Sequence, residues 1–229
     1  MPLILNIDTA TEYAGTCLSD NGICIGKEEH LDQKNHASFL QTAIQQILKA
    51  TGKKLTEIDA VAVTGGPGSY TGIRVGMSSA KGLCYALDKP LIVINTLLVI
   101  AQAALEEQVT LGNKIDLNTV FFPMIDARRM EVFSCVYDWK LQEIKKSGAF
   151  TLEEAFFYEF IKTQKIIFCG TGSKKISDNQ LKLNMFRSEL QHTVNQMIKH
   201  SEVAYFDKKF ANLATAEPLY LKEFFNTQK

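Results

Sequence analysis

Ala60-Val-Ala-Val-Thr-Gly-Gly-Pro-Gly-Ser69-Tyr-Thr-Gly-Ile-Arg-Val-Gly76-Met-Ser-Ser-Ala80-Lys-Gly-Leu-Cys-Tyr-Ala86 reads as a short apolar strand, a glycine-rich corner and a helix. Gly65, Gly66 and Gly68 permit backbone angles that other residues resist, and Pro67 fixes its own φ. In the helix, Gly72, Gly76 and Ala80 recur every four positions and so share one ridge that another backbone can approach closely. A tight strand-to-helix corner of this kind belongs to an α/β fold. It serves either as an anion site or as a recognition surface.

Working outward, Leu3–Thr9 is an apolar strand ending in Asp8. Gly15–Ser19 and Ile23–Leu31 read as two more strands, joined by the hairpin signal Asp20-Asn21-Gly22. A helix capped by Asn35 or its neighbour runs from His36 to Ala50, with Phe39, Leu40, Ala43, Ile44, Ile47 and Leu48 at helical spacing and Gly52 stopping it. The strand Pro90–Ile94 and a helix from Thr96 to Glu107 complete the first half. The pattern then restarts. Val120–Asp126, Met130–Asp138 and Leu141–Lys146 predict three strands. A helix Leu152–Thr163 follows, opened by a Thr151/Glu154 capping box, and then a strand Ile166–Cys169 runs into Gly170-Thr171-Gly172-Ser173. One more helix is expected from Leu190 to Val203. The β-β-β-α-β order thus occurs twice, each copy opening with a strand that ends in aspartate, Asp8 and Asp126. Such a duplication points to nucleotide-handling folds of the actin and sugar-kinase type. The expected lobes are 1–100 and 101–229, with the last segment packing back on the first.

The 229 residues are 46% hydrophobic and 22% charged, and 25 Lys+Arg balance 25 Asp+Glu. A chain without basic surplus is not expected to be the principal nucleic-acid-binding subunit, because phosphate neutralisation dominates such affinity. Its five cysteines are odd in number, widely spaced and without a C-x-x-C pair, which predicts buried free thiols in a reducing cytosol. The N-terminus reads as a first strand and not as a signal peptide. No apolar run approaches the ~18 residues of a membrane span.

The two aspartates have two readings. Carboxylates at strand ends can hold a magnesium ion or orient a nucleophile, or they can cap turns. Both glycine loops can cradle phosphate with backbone N–H groups, or they are tight turns; neither is followed by Gly-Lys-Ser/Thr. His30, His36, His192 and His200 show no metal-ligand spacing. Ser69 lacks the surroundings of a nucleophile elbow. Arg74, beside the small-residue ridge, suits an ion pair with a partner carboxylate.

Four segments together, Leu5–Thr11, Gly65–Gly76, Ile125–Phe133 and Ala216–Leu221, resemble the TsaB (YeaZ) family along nearly the whole chain. The resemblance implies a two-lobed actin-like ATPase-type (ASKHA) fold with a duplicated β-β-β-α-β-α core. It implies a cytoplasmic, non-catalytic subunit, without cofactor or metal, that makes no membrane contact. That subunit activates the complex forming N6-threonylcarbamoyladenosine at position 37 of tRNAs reading ANN codons. The implied partners are the transferase TsaD, the ATPase TsaE and, through the complex, tRNA; alone, the subunit pairs with itself. TsaD carries a His-x-x-x-His metal motif where this chain has Thr96 and Ile100, and an isoleucine ligates no metal. The expected docking face for TsaD comprises the helices His36–Ala50 and Thr71–Leu87, with Phe39, Ile47, Gly72, Arg74, Gly76, Ala80 and Leu83 as contact residues. Asp8, Thr9, Asp126, Gly170 and Gly172 would line a vestigial nucleotide cleft. The alternatives are a stand-alone ATP-dependent kinase or hydrolase using that cleft and, less well supported, a metallopeptidase.

Overall fold

A computed structural model describes residues 2–31, 36–152, 160 and 164–222. The expected Asn35 cap, the Glu154 capping partner and most of the expected helix Leu152–Thr163 lie outside these residues. The chain divides into two compact units, Met1–Ala103 with Gln191–Pro218, and Ala104–Leu190 with Leu219–Lys229.

The first unit is built on a five-stranded sheet of β1 (Leu3–Asp8), β2 (Ala14–Asp20), β3 (Ile23–His30), β4 (Ala60–Thr64) and β5 (Leu91–Ile94). The spatial order is β3-β2-β1-β4-β5. The first three strands are antiparallel, and β4 and β5 run parallel to β1. Asn21 and Gly22 both adopt positive φ, the requirement of the two-residue hairpin turn that the sequence signalled. Alternate residues of β1 point to opposite faces, so each face has its own core. Leu5 and Ile7 meet Leu40, Ile44 and Ile47 of α1 (His36–Thr51) and Met77 of α2 (Tyr70–Leu87). On the other face Ile4 clusters with Tyr13, Cys17, Val99 of α3 (Thr96–Thr110), and Val194, Met197 and Ile198. The last two belong to α4 (Asn195–Phe206).

The second unit repeats the plan with β6 (Thr119–Asp126), β7 (Glu131–Asp138), β8 (Glu143–Thr151), β9 (Lys165–Cys169) and β10 (Met185–Arg187), in the order β10-β9-β6-β7-β8. Read from β8, this is the same arrangement as in the first unit: an antiparallel meander followed by two parallel strands. The duplicated α/β plan is that of the two-lobed actin-like (ASKHA-type) fold.

Three local differences from the sequence expectation have clear causes. β8 extends five residues past Lys146 because Ala149, Phe150 and Thr151 pair with Phe133, Val132 and Glu131 of β7. β10 is only three residues long and carries no periodic signal; its parallel pairing with β9 creates it. The last helix starts at Asn195 and not at Leu190, with Val194 at its N-cap and Thr193 bonded across the entry. Thr193 Oγ1 accepts the Asn195 N–H at 3.3 Å while Gln196 Oε1 accepts the Thr193 N–H at 2.8 Å. This Thr-x-x-Gln pattern was readable in the sequence.

Candidate functional site

The glycine corner is packed against its own chain. Ser69 N–H donates to the Ala10 carbonyl at 2.7 Å, and a Cβ on Gly68 would stand 2.1 Å from that same oxygen. Gly65 abuts Val93, where a Cβ would lie 2.3 Å from the side chain. Ser69 is the N-cap of α2: its hydroxyl accepts the Gly72 N–H at 3.3 Å. The corner therefore closes over the β1–β2 turn and holds that turn in place.

The ridge of Gly72, Gly76 and Ala80 also faces inward, which corrects the expectation that it lies outside the core and receives a partner helix. A Cβ on Gly72 would stand 2.1 Å from the Thr9 carbonyl, and one on Gly76 2.4 Å from Thr9 Oγ1. Ala80 is fully buried in the α1/α2 core. The glycines let α2 lie directly on β1 and β4, and Thr9 Oγ1 donates to the Gly72 carbonyl at 2.8 Å. Ile47 likewise belongs to the core. Leu83 is half-buried against it, and Phe39 is half-buried and stacks on His30 at 5.5 Å. Of the expected contact residues only Arg74 is exposed, its guanidinium 3.9 Å over the Tyr70 ring.

Asp8 is completely buried. Its Oδ1 accepts the Thr64 hydroxyl at 2.8 Å and the Ala10 N–H at 3.1 Å, and its Oδ2 lies 3.3 Å from His192 Nε2. Burial alone would push the carboxyl up. The His192 imidazole, with help from Ala10 and Thr64, outweighs that and holds it below its ordinary range. His192 is itself buried and meets Tyr13 edge-on at 5.7 Å; the Tyr13 hydroxyl accepts the Val194 N–H and donates to Glu29 Oε1, both at 2.9 Å. A carboxylate so enclosed has no face left for a hydrated cation. Its geometry is that of a structural pin joining β1 to the segment before α4.

In the second unit Asp126 is half-exposed and pins a turn. Its Oδ1 accepts the Arg128 N–H at 2.7 Å and stands 2.6 Å from Lys175 Nζ. Burial opposes ionisation here as well, but Lys175 and the Arg128 N–H prevail and hold the carboxyl low. Lys175 also donates to the carbonyls of Arg129 and Glu131, at 2.7 and 2.9 Å. The turn needs this clamp, since Arg128 and Arg129 both take left-handed conformations. Of the two readings of Asp126, the geometry matches the turn cap. Lys175→Met is expected to cost about 1 kcal/mol through the lost hydrogen bonds and to speed amide exchange at Arg128; unchanged exchange there would refute the clamp.

The second glycine loop leads into a short 3-10 turn, Thr171–Lys175. Gly172 packs on β6 and β7, where a Cβ would meet Met124 and Val132 at 2.9 Å, and the Ser173 hydroxyl bonds back to Gly170 at 2.7 Å. The loop is committed to its own sheet and opens no α-helix whose N-terminal N–H groups could cradle phosphate. Thr96 and Ile100, one turn apart at the start of α3, are both buried. Among the described residues no group of three His, Cys, Asp or Glu side chains is placed to hold a metal. An isoleucine at position 100 has no donor atom, so the metal of the transferase motif does not fit this pair.

The sequence missed Thr64, His192 and Lys175. Each is a single polar residue brought to its aspartate by folding, without spacing to announce it.

Comparison with known proteins settles the family. The model of the family described as TsaD: tRNA N6-adenosine threonylcarbamoyltransferase matches residues 30–226. A Haemophilus influenzae protein named tRNA threonylcarbamoyladenosine biosynthesis protein TsaB is 29% identical over 96% of this chain and 93% of its own. The chain belongs to this family, in its TsaB (YeaZ) branch. The Escherichia coli protein of the same name is 35% identical over 58% of this chain, a match spanning about half (54%) of that relative. A solved structure described as a Pseudomonas aeruginosa protein similar to peptidase YeaZ superposes with a TM-score of 0.84, covering 97% of this chain and all of the other. At 22% identity that likeness speaks for the fold alone. The TsaB resemblance seen in the four sequence segments is thereby borne out.

Proposed function

We propose that this chain serves tRNA threonylcarbamoyladenosine biosynthesis as a non-catalytic subunit that pairs with a TsaD-type transferase. The observation that carries this is the pair Thr96 and Ile100, both buried, where the resemblance places the transferase's metal ligands and where an isoleucine can ligate none. The enclosed Asp8 and the turn-capping Asp126 support it, because neither is arranged to hold a cation for a kinase or hydrolase. With no basic surplus, the chain reaches tRNA through the complex. TsaE as a further partner, a homodimer in the absence of TsaD, and a cytoplasmic location complete the proposal. Among the described residues no helix is long and apolar enough to cross a membrane.

The docking face is the outward side of α1 and α2. On α2, Arg74, Ser78, Gly82 and Tyr85 are exposed and spaced for one face. A Cβ on Gly82 would meet nothing within 4 Å, and Tyr85 is 82% exposed beside it. A large aromatic next to a small residue suits a paralogous helix pair, aromatic anchors being the residues that dominate such contacts. On α1, Gln41, Gln45 and Lys49 extend this surface.

The test is reconstitution. The chain alone is expected to transfer no threonylcarbamoyl group and to hydrolyse no nucleotide, and its addition should raise transfer to tRNA by the TsaD-type partner. Turnover by the isolated chain would refute the proposal. Gly82→Trp is expected to stay folded and to weaken the pairing about tenfold or more, measured by calorimetric titration; unchanged affinity would move the docking face elsewhere.

A further inference from the structure

Cys17 and Cys24 sit on adjacent antiparallel strands, and a bulge decides that they share one face. Leu18 pairs with Gly26, but the next pair is Ser19 with Cys24, so Ile25 is the extra residue of β3. In an unbroken ladder Cys24 would share the face of Leu18 and point toward α1; one inserted residue switches it to the face of Cys17. Both side chains accordingly join the cluster formed with Val194 and Met197. The Cys17 thiol donates to the Val194 carbonyl at 4.0 Å and the Cys24 thiol to the Gly26 carbonyl at 3.7 Å. Cys17 is fully buried and Cys24 half-exposed, which corrects the expectation that the thiols are uniformly buried.

We propose that Cys17 and Cys24 form a peroxide-sensitive thiol pair that closes to a disulfide between β2 and β3. Cys24 is the attacking sulfur, since it is the one that solvent reaches. The neighbouring Cys17 pulls the Cys24 thiol down to about 6, and Lys27 on the same face adds to that. Its thiolate attacks one oxygen of a hydroperoxide: an S–O bond forms, the O–O bond breaks, and the departing oxygen leaves as hydroxide and takes up a proton. Cys17 gives up its proton and attacks the sulfenic sulfur of Cys24; the S–S bond forms and the S–O bond breaks, releasing water. Two thiols and hydrogen peroxide thus become one disulfide and two waters, the two electrons passing from sulfur to peroxide. Burial keeps Cys17 from direct oxidation and reserves it as the resolving thiol. The remaining cysteines, Cys84, Cys135 and Cys169, are buried, and burial pushes each of their thiols up. The pair does not depend on the proposed part in tRNA modification.

The full chain, treated with stoichiometric hydrogen peroxide, alkylated and digested with trypsin, tests this. Residues 1–27 contain both cysteines and no internal Lys or Arg, so one tryptic peptide reports the result. It is expected to escape alkylation and to be about 2 Da lighter than the reduced peptide, while the other three cysteines alkylate fully after denaturation. Cys17→Ala should instead leave a sulfenic acid at Cys24 that dimedone traps. Peptide 1–27 with two alkylated thiols after peroxide, a disulfide mapped elsewhere, or Cys24 carried to sulfinic acid in the unsubstituted chain would each overturn the proposal.

Discussion

Gly72→Leu is expected to destroy the folded state of the first unit. The new Cβ would stand 2.1 Å from a backbone oxygen, that of Thr9, which cannot rotate away as a side-chain tip would. Relief requires α2 to lift from β1, and α2 carries Ile73, Met77, Ala80 and Cys84 on its buried side. Overpacking ordinarily costs about 1–3 kcal/mol where side chains can adjust; against fixed backbone the cost should exceed about 3 kcal/mol, a large share of the ~5–15 kcal/mol that holds a domain folded. The expected observation is loss of soluble protein or a much lower urea midpoint. A Gly72→Leu protein with an unchanged midpoint and impaired partner binding would show that the ridge faces outward after all. Gly82→Ala, where a Cβ meets nothing, is the matched control and should be neutral or stabilising.

Asp8→Ala should cost about 3–5 kcal/mol, the usual consequence of removing one member of a buried pair. It strips the Thr64 hydroxyl and the Ala10 N–H of their acceptor and leaves the His192 imidazole buried without its carboxylate. Asp8→Asn, which keeps the shape and one acceptor oxygen, should cost clearly less. The pH dependence follows from the direction of the Asp8 shift. Its folded-state carboxyl lies lower than in the unfolded chain, so the unfolded chain binds the proton more tightly. The stabilisation is therefore complete above the ordinary carboxylate range and is lost as pH falls through the folded value. Denaturation midpoints measured from neutral to acidic pH should decline less steeply for Asp8→Asn than for the unsubstituted chain. Equal acid slopes would show that Asp8 is not the group responsible.

Much of this architecture was legible because it is written in local chemistry. The Asn21-Gly22 turn, the α1 stripe from Leu40 to Ile47 and the stop at Gly52 each follow from a few neighbouring residues. The repeated order of elements then exposed the duplication. The α2 ridge faces opposite to the expectation, although the sequence held the clue. Ile73, Met77 and Cys84 lie on the same side of the helix as Gly72, Gly76 and Ala80. Small residues sharing a side with the apolar stripe are there to bring the helix close to its own sheet.

The sequence by itself determined the α/β class, the two aspartate-tipped repeats and the family, since these rest on periodicity, turn residues and ordered motifs within short spans. Only the tertiary structure decided what the motif residues touch. Helical spacing fixes which residues share a face but not whether that face meets the protein's own core or another molecule. Asp8 and His192 stand far apart in the chain, and Cys24 shares the face of Cys17 only because one inserted residue in β3 reverses the alternation of its side chains. Contacts of that kind depend on register and on long-range packing, and no local pattern of residue types encodes them.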